Sequence, residues 1–383
     1  MSSDPTRRVL AVTAAAATLL ACAAPAAASA AKPEKAPNPD FTLTILHAND
    51  LESALLPTTT DDGVTFGGAD RFVELIQQQQ KAATTGKPGP GQAGKRGELT
   101  ISAGDNFLPG PQLAASEESG KPIYEATAFS AAGFDVSIFG NHDFDQNPDF
   151  LAEWLGDVTS DTVFVSGNLG FEDEPALLAH VEDGTIVTTH VEKIKGEKVG
   201  IIGLTTPDLP RLSSSRNVTV DPNLPGIANA QAEAYAEAGV DKVVLVSHLQ
   251  DVDNELDLAA ELSGVDVIVS GGGHELLADE GDPLLPKDDP LINEDAEIFG
   301  SYPLTPTDAD GDVVPVVTTN ALYGYVGRLV VSFDDAGEIL TVHDELSRPI
   351  PVTAEGADAV GPDAEVNEEV VEPVAEFVDE LDQ

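Results

Sequence analysis

The sequence predicts an α/β fold, and three observations support that class. Short apolar runs rich in Val, Ile and Leu alternate with segments of helical spacing along most of the chain. Polar side chains gather where several of the apolar runs end, which is where α/β folds place their binding sites. At 383 residues, the chain is also long enough to bury a sizeable core.

The individual elements follow from local spacing and from β-branched or aromatic content. The predicted strands are residues 42–46, 99–102, 136–139, 163–165, 185–194, 199–204, 242–246, 265–269, 314–318, 329–333 and 339–342. The predicted helices are residues 67–83, 123–132, 150–155, 227–238, 256–262 and 367–381. Residues 185–194 and 199–204 are predicted to form one hairpin, because Lys195-Gly196-Glu197-Lys198 between them suits a tight turn.

The first thirty residues have the pattern of an export signal. Arg7 and Arg8 precede an apolar Ala/Leu-rich run, and Ala28-Ser29-Ala30 forms a small-residue cleavage site. The apolar run is short for a membrane span and ends at Pro25. We therefore predict that residues 1–30 are a signal peptide and that the mature protein is secreted, with no transmembrane span.

Two variants of this export route fit the same residues. Thr6-Arg7-Arg8-Val9-Leu10 loosely resembles a twin-arginine signal, which implies export after folding. Leu19-Leu20-Ala21-Cys22 fits a lipoprotein cleavage site, in which Cys22 would carry lipid and hold the protein at the cell surface. Since Cys22 is the single cysteine of the chain, the mature protein has no internal disulfide.

The net charge restricts the class of partner. The chain has 67 acidic and 19 basic residues, for a formal net charge of −48 at pH 7. Such a chain repels nucleic-acid polymers and anionic membrane surfaces. A small phosphorylated substrate would need local positive charge, which bound divalent cations can supply.

The strand ends carry the residues that point to chemistry. Residues 140–145 (GNHDFD) place an amide, an imidazole and carboxylates together directly after an apolar run. Carboxylates, imidazoles and an amide oxygen without a thiolate suit borderline-to-hard divalent metals such as Mn, Mg, Ca or Zn. The candidate ligands are Asp50, Glu52, Asp105, Asn141, His248 and His274. One carboxylate can bridge two such ions, the arrangement used for displacement at phosphorus by a metal-activated hydroxide.

Several segments together resemble the calcineurin-like metallophosphoesterases, in the branch of secreted bacterial 5′-nucleotidases and 2′,3′-cyclic-nucleotide phosphodiesterases. The resemblance covers residues 41–346 and implies a four-layer α/β/β/α sandwich of two mixed sheets flanked by helices. The matching segments, in family order, are residues 43–50 (LTILHAND), 67–71 (GGADR), 104–105 (GD), 140–145 (GNHDFD), 199–204 (VGIIGL) and 246–249 (VSHL).

The resemblance implies a role for each metal ligand. Asp105 would bridge two metal ions. Asp50 and His274 would bind the first ion, and Asn141 and His248 would bind the second.

The resemblance also implies two catalytic residues. His142 would stabilise the transferring phosphoryl group or protonate the leaving oxygen. Asp145, three residues later, would orient His142, which matches the need for a proton donor fixed by a carboxylate.

Two positions depart from the family pattern. The family has Asp-x-His at the first site, where this chain has Glu52 in the third position. It has Gly-His-x-His late in the domain, where Gly272 replaces the first histidine and His274 remains. The loss of a nitrogen ligand at each site shifts the expected preference toward oxygen-binding ions such as Mn, Mg or Ca. A single-metal or weakened site fits the same changes.

The sequence after Arg348 is Pro-rich and acidic. We interpret residues 349–383 as a linker and a helix, which would either pack back on the domain or begin another unit. The family's nucleotidases carry a second, base-binding domain, which we do not expect in residues 349–383.

Two functions follow from these residues. The first is an exported metal-dependent phosphoesterase that hydrolyses nucleotides or other phosphomonoesters. The alternative is a degenerate module that binds metal or ligand at the cell surface without hydrolysis. The sequence makes no prediction of oligomeric state.

Overall fold

The computed structural model describes residues 38–119, 123–286 and 298–381. The predicted signal peptide and Cys22 lie outside these ranges. The strands are β1 Phe41–Ala48, β2 Thr58–Thr59, β3 Thr65–Phe66, β4 Lys95–Ser102, β5 Val136–Ser137, β6 Val163–Val165, β7 Leu169–Gly170, β8 Ile186–Val187, β9 His190–Ile194, β10 Glu197–Thr205, β11 Thr219–Val220, β12 Val243–His248, β13 Val267–Gly271, β14 Leu276–Leu277, β15 Ile298–Gly300, β16 Val316–Val317, β17 Tyr325–Phe333, β18 Ile339–Val342 and β19 Arg348–Pro351.

The α-helices lie between and after these strands. They are α1 Ala69–Thr84, α2 Pro111–Ser119, α3 Tyr124–Ala132, α4 Pro148–Asp157, α5 Pro175–Asp183, α6 Leu209–Leu212, α7 Leu224–Glu237, α8 Val252–Ala259, α9 Ala364–Val366 and α10 Glu372–Leu381. Short 3₁₀ turns cover His142–Phe144 and Asp344–Leu346, and a π-helical segment covers Asn367–Val371. Among the described residues, no helix has the length and apolar character needed to cross a membrane.

The larger sheet has the described strand order β18-β17-β1-β4-β5-β6-β8, with β19 also paired to β17. Strands β1 and β4 run parallel, with Ala48 opposite Ser102, whereas β17 runs antiparallel to β1. Every residue of β1 is buried, as expected for a strand covered on both faces. The parallel pairing brings the carboxyl ends of β1 and β4 to the same edge.

The smaller sheet has the described order β16-β13-β12-β10-β9. Strands β10, β12 and β13 are parallel, and β9 is antiparallel to β10. Its apolar side chains, such as Val246 and Val269, pack against Ile45 and Ile101 of the larger sheet. The two sheets therefore face each other across a shared core.

Helices cover the outer face of each sheet. A second core cluster joins the larger sheet to α1, α3 and α4, with Phe72, Phe129 and Trp154 fully buried. A third joins the smaller sheet to α7 and α8. These clusters define the four layers α/β/β/α, so the predicted architecture of two mixed sheets flanked by helices is confirmed.

The predicted strand 185–194 is wrong as a single element. Ile186–Val187 pairs with β6 in the larger sheet, while His190–Ile194 pairs with β10 in the smaller one. The chain bends between them, and Ile186 and Ile194 enter different cores. Only His190–Ile194 forms the predicted hairpin, because Ile186–Val187 pairs with a strand of the other sheet.

The fold continues past the expected boundary at residue 346. Strand β19 pairs with β17 and has no other partner among the described strands, so its prolines need no ladder hydrogen bond on the open side. Val366, Val370 and Val374 from the final helical segment are buried in the core beneath α1 and α3. The C-terminal helix thus packs back on the domain, which was one of the two interpretations of its sequence.

Candidate active site

The predicted site residues lie where strands from both sheets end. Asp50 and Asp105 follow β1 and β4 of the larger sheet, and Asn141 follows β5. His248 is the last residue of β12, and His274 follows β13 in the smaller sheet. The carboxyl ends of the two sheets therefore supply one common cluster, as expected for α/β folds.

Three overlapping groups of side chains in this cluster have the spacing of metal ligands. Within each group, the ligand atoms lie within 4.8 Å of one another. The groups are Asp50, Asp105 and His248; Asp50, Glu52 and His274; and Glu52, Asp105 and His142. Glu52, which departs from the family pattern, is thus placed beside His274, and its Oε1 lies 3.0 Å from His274 Nε2.

The loops that carry these ligands adopt strained backbone conformations. Asp50, Glu52, Asp105 and His274 have φ values of +54°, +50°, +54° and +59°. Residues other than glycine rarely adopt this left-handed region, at a cost of about 1–3 kcal/mol each. Such strain is concentrated at functional sites, where the surrounding structure holds the side chains in place.

Each of the central ligands has one atom fixed by the protein and one atom left over. Asp50 Oδ2 accepts hydrogen bonds from Asn49 Nδ2 and the Gly272 amide, at 2.6 and 2.9 Å. Asp105 Oδ1 accepts from the His142 amide at 2.7 Å, and His248 Nδ1 lies 2.8 Å from the Ala103 carbonyl oxygen.

The remaining atoms of these ligands converge. Asp50 Oδ1, Asp105 Oδ2 and His248 Nε2 are among the described buried atoms without a hydrogen-bond partner. His248 Nε2 lies 2.9 Å from Asp105 Oδ2 and 4.0 Å from Asp50 Oδ1. Buried polar atoms without partners are costly, and bound cations would satisfy them. The residues therefore fit a divalent metal ion.

The pKa values in the cluster reflect strong mutual attraction. Burial alone would raise the pKa of Asp50, but the nearby imidazoles of His274 and His248 lower it to about 2. Burial alone would lower the pKa of His248, but the adjacent Asp105 raises it to about 10. A bound metal ion would replace the proton on the His248 imidazole. Metal binding would therefore release protons and become tighter as pH rises.

His142 and Asp145 form a pair at the rim of the cluster. His142 Nδ1 lies 2.6 Å from Asp145 Oδ2 across a 3₁₀ turn, and the imidazole is 33% exposed. Burial opposes a charged imidazole, but the bond to Asp145 and the charge of Asp105 raise the pKa of His142 to about 9. At neutral pH this side chain is a cation that faces both solvent and the cluster.

Asp143 lies beside the cluster, although no sequence pattern gave it a role. Its carboxylate accepts hydrogen bonds from the backbone amides of Gly140, Asp105 and Asn106, at 2.8, 3.1 and 2.9 Å. It is buried, and this burial together with the charge of Asp105 raises its pKa to about 7. Asp143 therefore joins the loop after β4 to the loop after β5. The position of Asp143 within residues 140–145 (GNHDFD) could have indicated this role from the sequence.

Gly140 is required by close packing between these loops. A Cβ at this position would collide with Asp105 Oδ1 and lie 2.6 Å from His248 Cε1. We expect Gly140→Ala to displace Asp105, lower metal affinity at least tenfold and destabilise the fold by about 1–3 kcal/mol, as overpacking does. Calorimetry and denaturant unfolding would measure both effects. Gly156→Ala is the matched control, since a Cβ there has no neighbour within 4 Å; equal behaviour of the two variants would contradict the packing argument.

A buried carboxyl behind β12 predicts a pH-dependent stability. Burial raises the pKa of Glu255 from 4.5 to about 8, and Ser247 Oγ donates to it at 2.9 Å. The folded state therefore binds this proton more tightly than the unfolded state, so the contribution of Glu255 to stability falls as pH rises from about 4.5 to 8. As pH rises across that range, we expect the free energy of unfolding of Glu255→Gln to increase by several kcal/mol relative to that of the wild type, at about 1.4 kcal/mol per pKa unit. Urea unfolding at pH 5 and pH 8 measures this stability difference. An equal difference at both pH values would contradict the raised pKa of Glu255.

The fold is that of the calcineurin-like phosphoesterases. The Bacillus subtilis calcineurin-like phosphoesterase YfkN shares it, with a TM-score of 0.60 and 17% identity over 90% of this chain and all of that one. No protein-family model matches the chain.

Within that class, the chain is similar to 5′-nucleotidases, and the predicted resemblance is confirmed. The 5′-nucleotidase precursor of Thermus thermophilus superposes with a TM-score of 0.71 and 27% identity, covering 89% of this chain and 59% of that one. The 5′-nucleotidase of Mus musculus is 28% identical over 307 residues, 79% of this chain and 48% of the relative. The chain spans about half the length of the curated relatives it matches.

Proposed function

We propose that this protein is a metal-dependent phosphoesterase that hydrolyses phosphate monoesters of nucleotides. The observation that carries the proposal is the convergence of Asp50 Oδ1, Asp105 Oδ2 and His248 Nε2, which are buried and lack hydrogen-bond partners. Similarity to 5′-nucleotidases in sequence and fold supports the substrate class.

The predicted ligands divide between two ions, as the resemblance implies. Asp105 would be the shared ligand, with Asp50, Glu52 and His274 on one ion and Asn141 and His248 on the other. When bound, the ions would supply an activated water and positive charge beside the phosphoryl oxygens. Oxygen donors outnumber imidazoles in this set, which favours Mn, Mg or Ca over Zn.

His142 and Asp145 provide the remaining chemistry. The His142 cation can donate a hydrogen bond to a phosphoryl oxygen and a proton to the leaving alkoxide. Asp145 holds Nδ1, so that Nε2 is the atom that donates. Asp145 raises the pKa of His142, which favours the protonated form of the donor.

The proposal includes export of the protein after removal of the signal peptide. A secreted or lipid-anchored enzyme would meet small phosphorylated substrates outside the cytoplasm. The N-terminal pattern and the acidic composition support this location, and the acidic surface disfavours nucleic-acid polymers.

The test is a panel of substrates and metals. Purified protein is incubated with AMP, ADP, 2′,3′-cyclic AMP, NAD and p-nitrophenyl phosphate, each with Mn²⁺, Mg²⁺, Ca²⁺, Co²⁺ or Zn²⁺. We expect phosphate release from AMP with at least one of these ions and none with chelator. If no substrate is hydrolysed with any ion, the proposed function is wrong.

A second candidate is a non-hydrolytic module that binds metal or ligand. Gly272 favours it, because no side chain from this position reaches the second site, where Gln250 bonds to Asn141 Oδ1 instead. Metal binding by calorimetry without turnover of any substrate in the panel would select this candidate.

A further inference from the structure

Gln250 has an unusual backbone conformation two residues after His248. Its φ is +78°, in the region that glycine adopts without strain and other residues rarely adopt. A glycine would make the same turn at lower cost. The presence of a long polar side chain at a strained position therefore calls for a function of the side chain.

The side chain of Gln250 reaches into the candidate metal cluster. Its Nε2 donates a short hydrogen bond to Asn141 Oδ1, the oxygen predicted to bind the second metal ion. The two residues are 109 positions apart in the chain and come from different sheets of the fold. Gln250 thus contacts the second site directly.

The end of Gln250 lies where the missing ligand at position 272 would begin. A Cβ built on Gly272 would be 2.8 Å from His248 Nε2 and 2.9 Å from Gln250 Nε2. A side chain at position 272 would therefore enter the volume that Gln250 occupies. The absence of a side chain at Gly272 leaves room for the side chain of Gln250.

The side-chain amide of Gln250 can place either a hydrogen-bond donor or an oxygen acceptor beside Asn141 Oδ1. A half-turn about its last bond exchanges Nε2 with Oε1, which is a neutral oxygen ligand. Nε2 satisfies Asn141 Oδ1 by donation, whereas Oε1 would stand beside Asn141 Oδ1 when a cation binds both oxygens. Carbonyl-type oxygens suit Mn²⁺, Mg²⁺ and Ca²⁺.

We propose that Gln250 is a ligand of the second metal ion and that its amide oxygen replaces the side chain missing at position 272. This rests on the proposed function, since it requires an ion bound by Asp105, Asn141 and His248. With Gln250, the second ion has three oxygen-donating side chains and one imidazole. The site would then prefer Mn²⁺ to Zn²⁺.

Two variants separate a ligand from a mere orienting donor. Gln250→Gly removes the side chain and suits the positive φ, so the metal-free protein keeps or raises its melting temperature. We expect its second Mn²⁺ to bind about 10–100-fold more weakly, as measured by titration calorimetry and by metal content after dialysis. Gln250→Glu keeps an oxygen but cannot donate to Asn141. We expect it to bind the second ion at least as tightly as the wild type, whereas an orienting role predicts weakening as in Gln250→Gly.

Lys195→Gly is the matched control. Lys195 has a φ of +54° in an exposed hairpin turn, so the change relieves similar strain away from the cluster. We expect Lys195→Gly to leave both Mn²⁺ affinities unchanged.

The outcomes distinguish this inference from the proposed function. Two ions in the wild type and one tight ion in Gln250→Gly support the inference. Equal stoichiometry and affinity in the wild type and Gln250→Gly, or weakening in Gln250→Glu, overturns it and leaves the proposed function standing. A wild type that binds no divalent ion overturns both.

Discussion

Replacing Asp105 with asparagine is expected to abolish metal-dependent hydrolysis, with a loss of at least about 10³-fold in kcat/KM. Asp105 Oδ2 is buried and lies 2.9 Å from His248 Nε2, but the two atoms do not form a well-aligned hydrogen bond. An amide at this position keeps the volume but removes the negative charge that two cations would share. Metal content is expected to fall along with activity, which phosphate release and metal analysis would measure together.

Asp266→Asn is the control for this change. Asp266 is a partly buried aspartate that accepts a hydrogen bond from the Val243 amide at 2.7 Å, away from the cluster. We expect full metal content and activity in that variant. If Asp105→Asn retained wild-type metal content and activity, the assignment of Asp105 as the shared ligand would fail.

The second large effect is expected at His142. His142→Ala should lower kcat by about 10²–10⁴-fold, the usual contribution of a general acid, while metal stoichiometry stays at the wild-type value. The imidazole lies at the rim and is held by Asp145, so its loss removes a proton donor without removing the buried ligands. Steady-state kinetics and metal analysis on one preparation separate the two effects.

The pH profile gives a sharper test of the pair. Asp145 raises the pKa of His142, and the protonated form is the active donor. Activity should therefore fall as pH rises through this pKa, and Asp145→Asn should move that alkaline limb to lower pH. His190→Ala is the control, because His190 forms a similar pair with Glu192 on β9. An unshifted limb in Asp145→Asn would contradict the role of Asp145.

Much of the fold and the position of the site could be predicted because both depend on local sequence. The buried strands β1, β4, β12 and β13 are recognisable apolar runs, and Asp50, Asp105, His248 and His274 lie at or just beyond their ends. Parallel pairing then places these ends together without further information. The structure brings the predicted residues together, while their roles as ligands and catalysts stay predictions.

What could not be predicted depends on contacts between distant segments. Asp143 joins two loops through backbone amides, and no local pattern reveals which amides it meets. Gln250 meets Asn141 across 109 residues, from a backbone conformation that its residue type disfavours. Ile186 and Ile194 look like one strand but enter two cores, because strand pairing partners are set by the tertiary fold rather than by spacing.

We propose that the strand-end cluster hydrolyses phosphomonoesters through bound metal. The most direct measurement is phosphate release from AMP by wild-type protein that has been stripped with EDTA and then reloaded with Mn²⁺, with Asp105→Asn treated in parallel. This mechanism predicts loss of activity on stripping, recovery on reloading, and neither activity nor recovery in Asp105→Asn. Hydrolysis that survives chelation, or that Asp105→Asn performs at the wild-type rate, would contradict it.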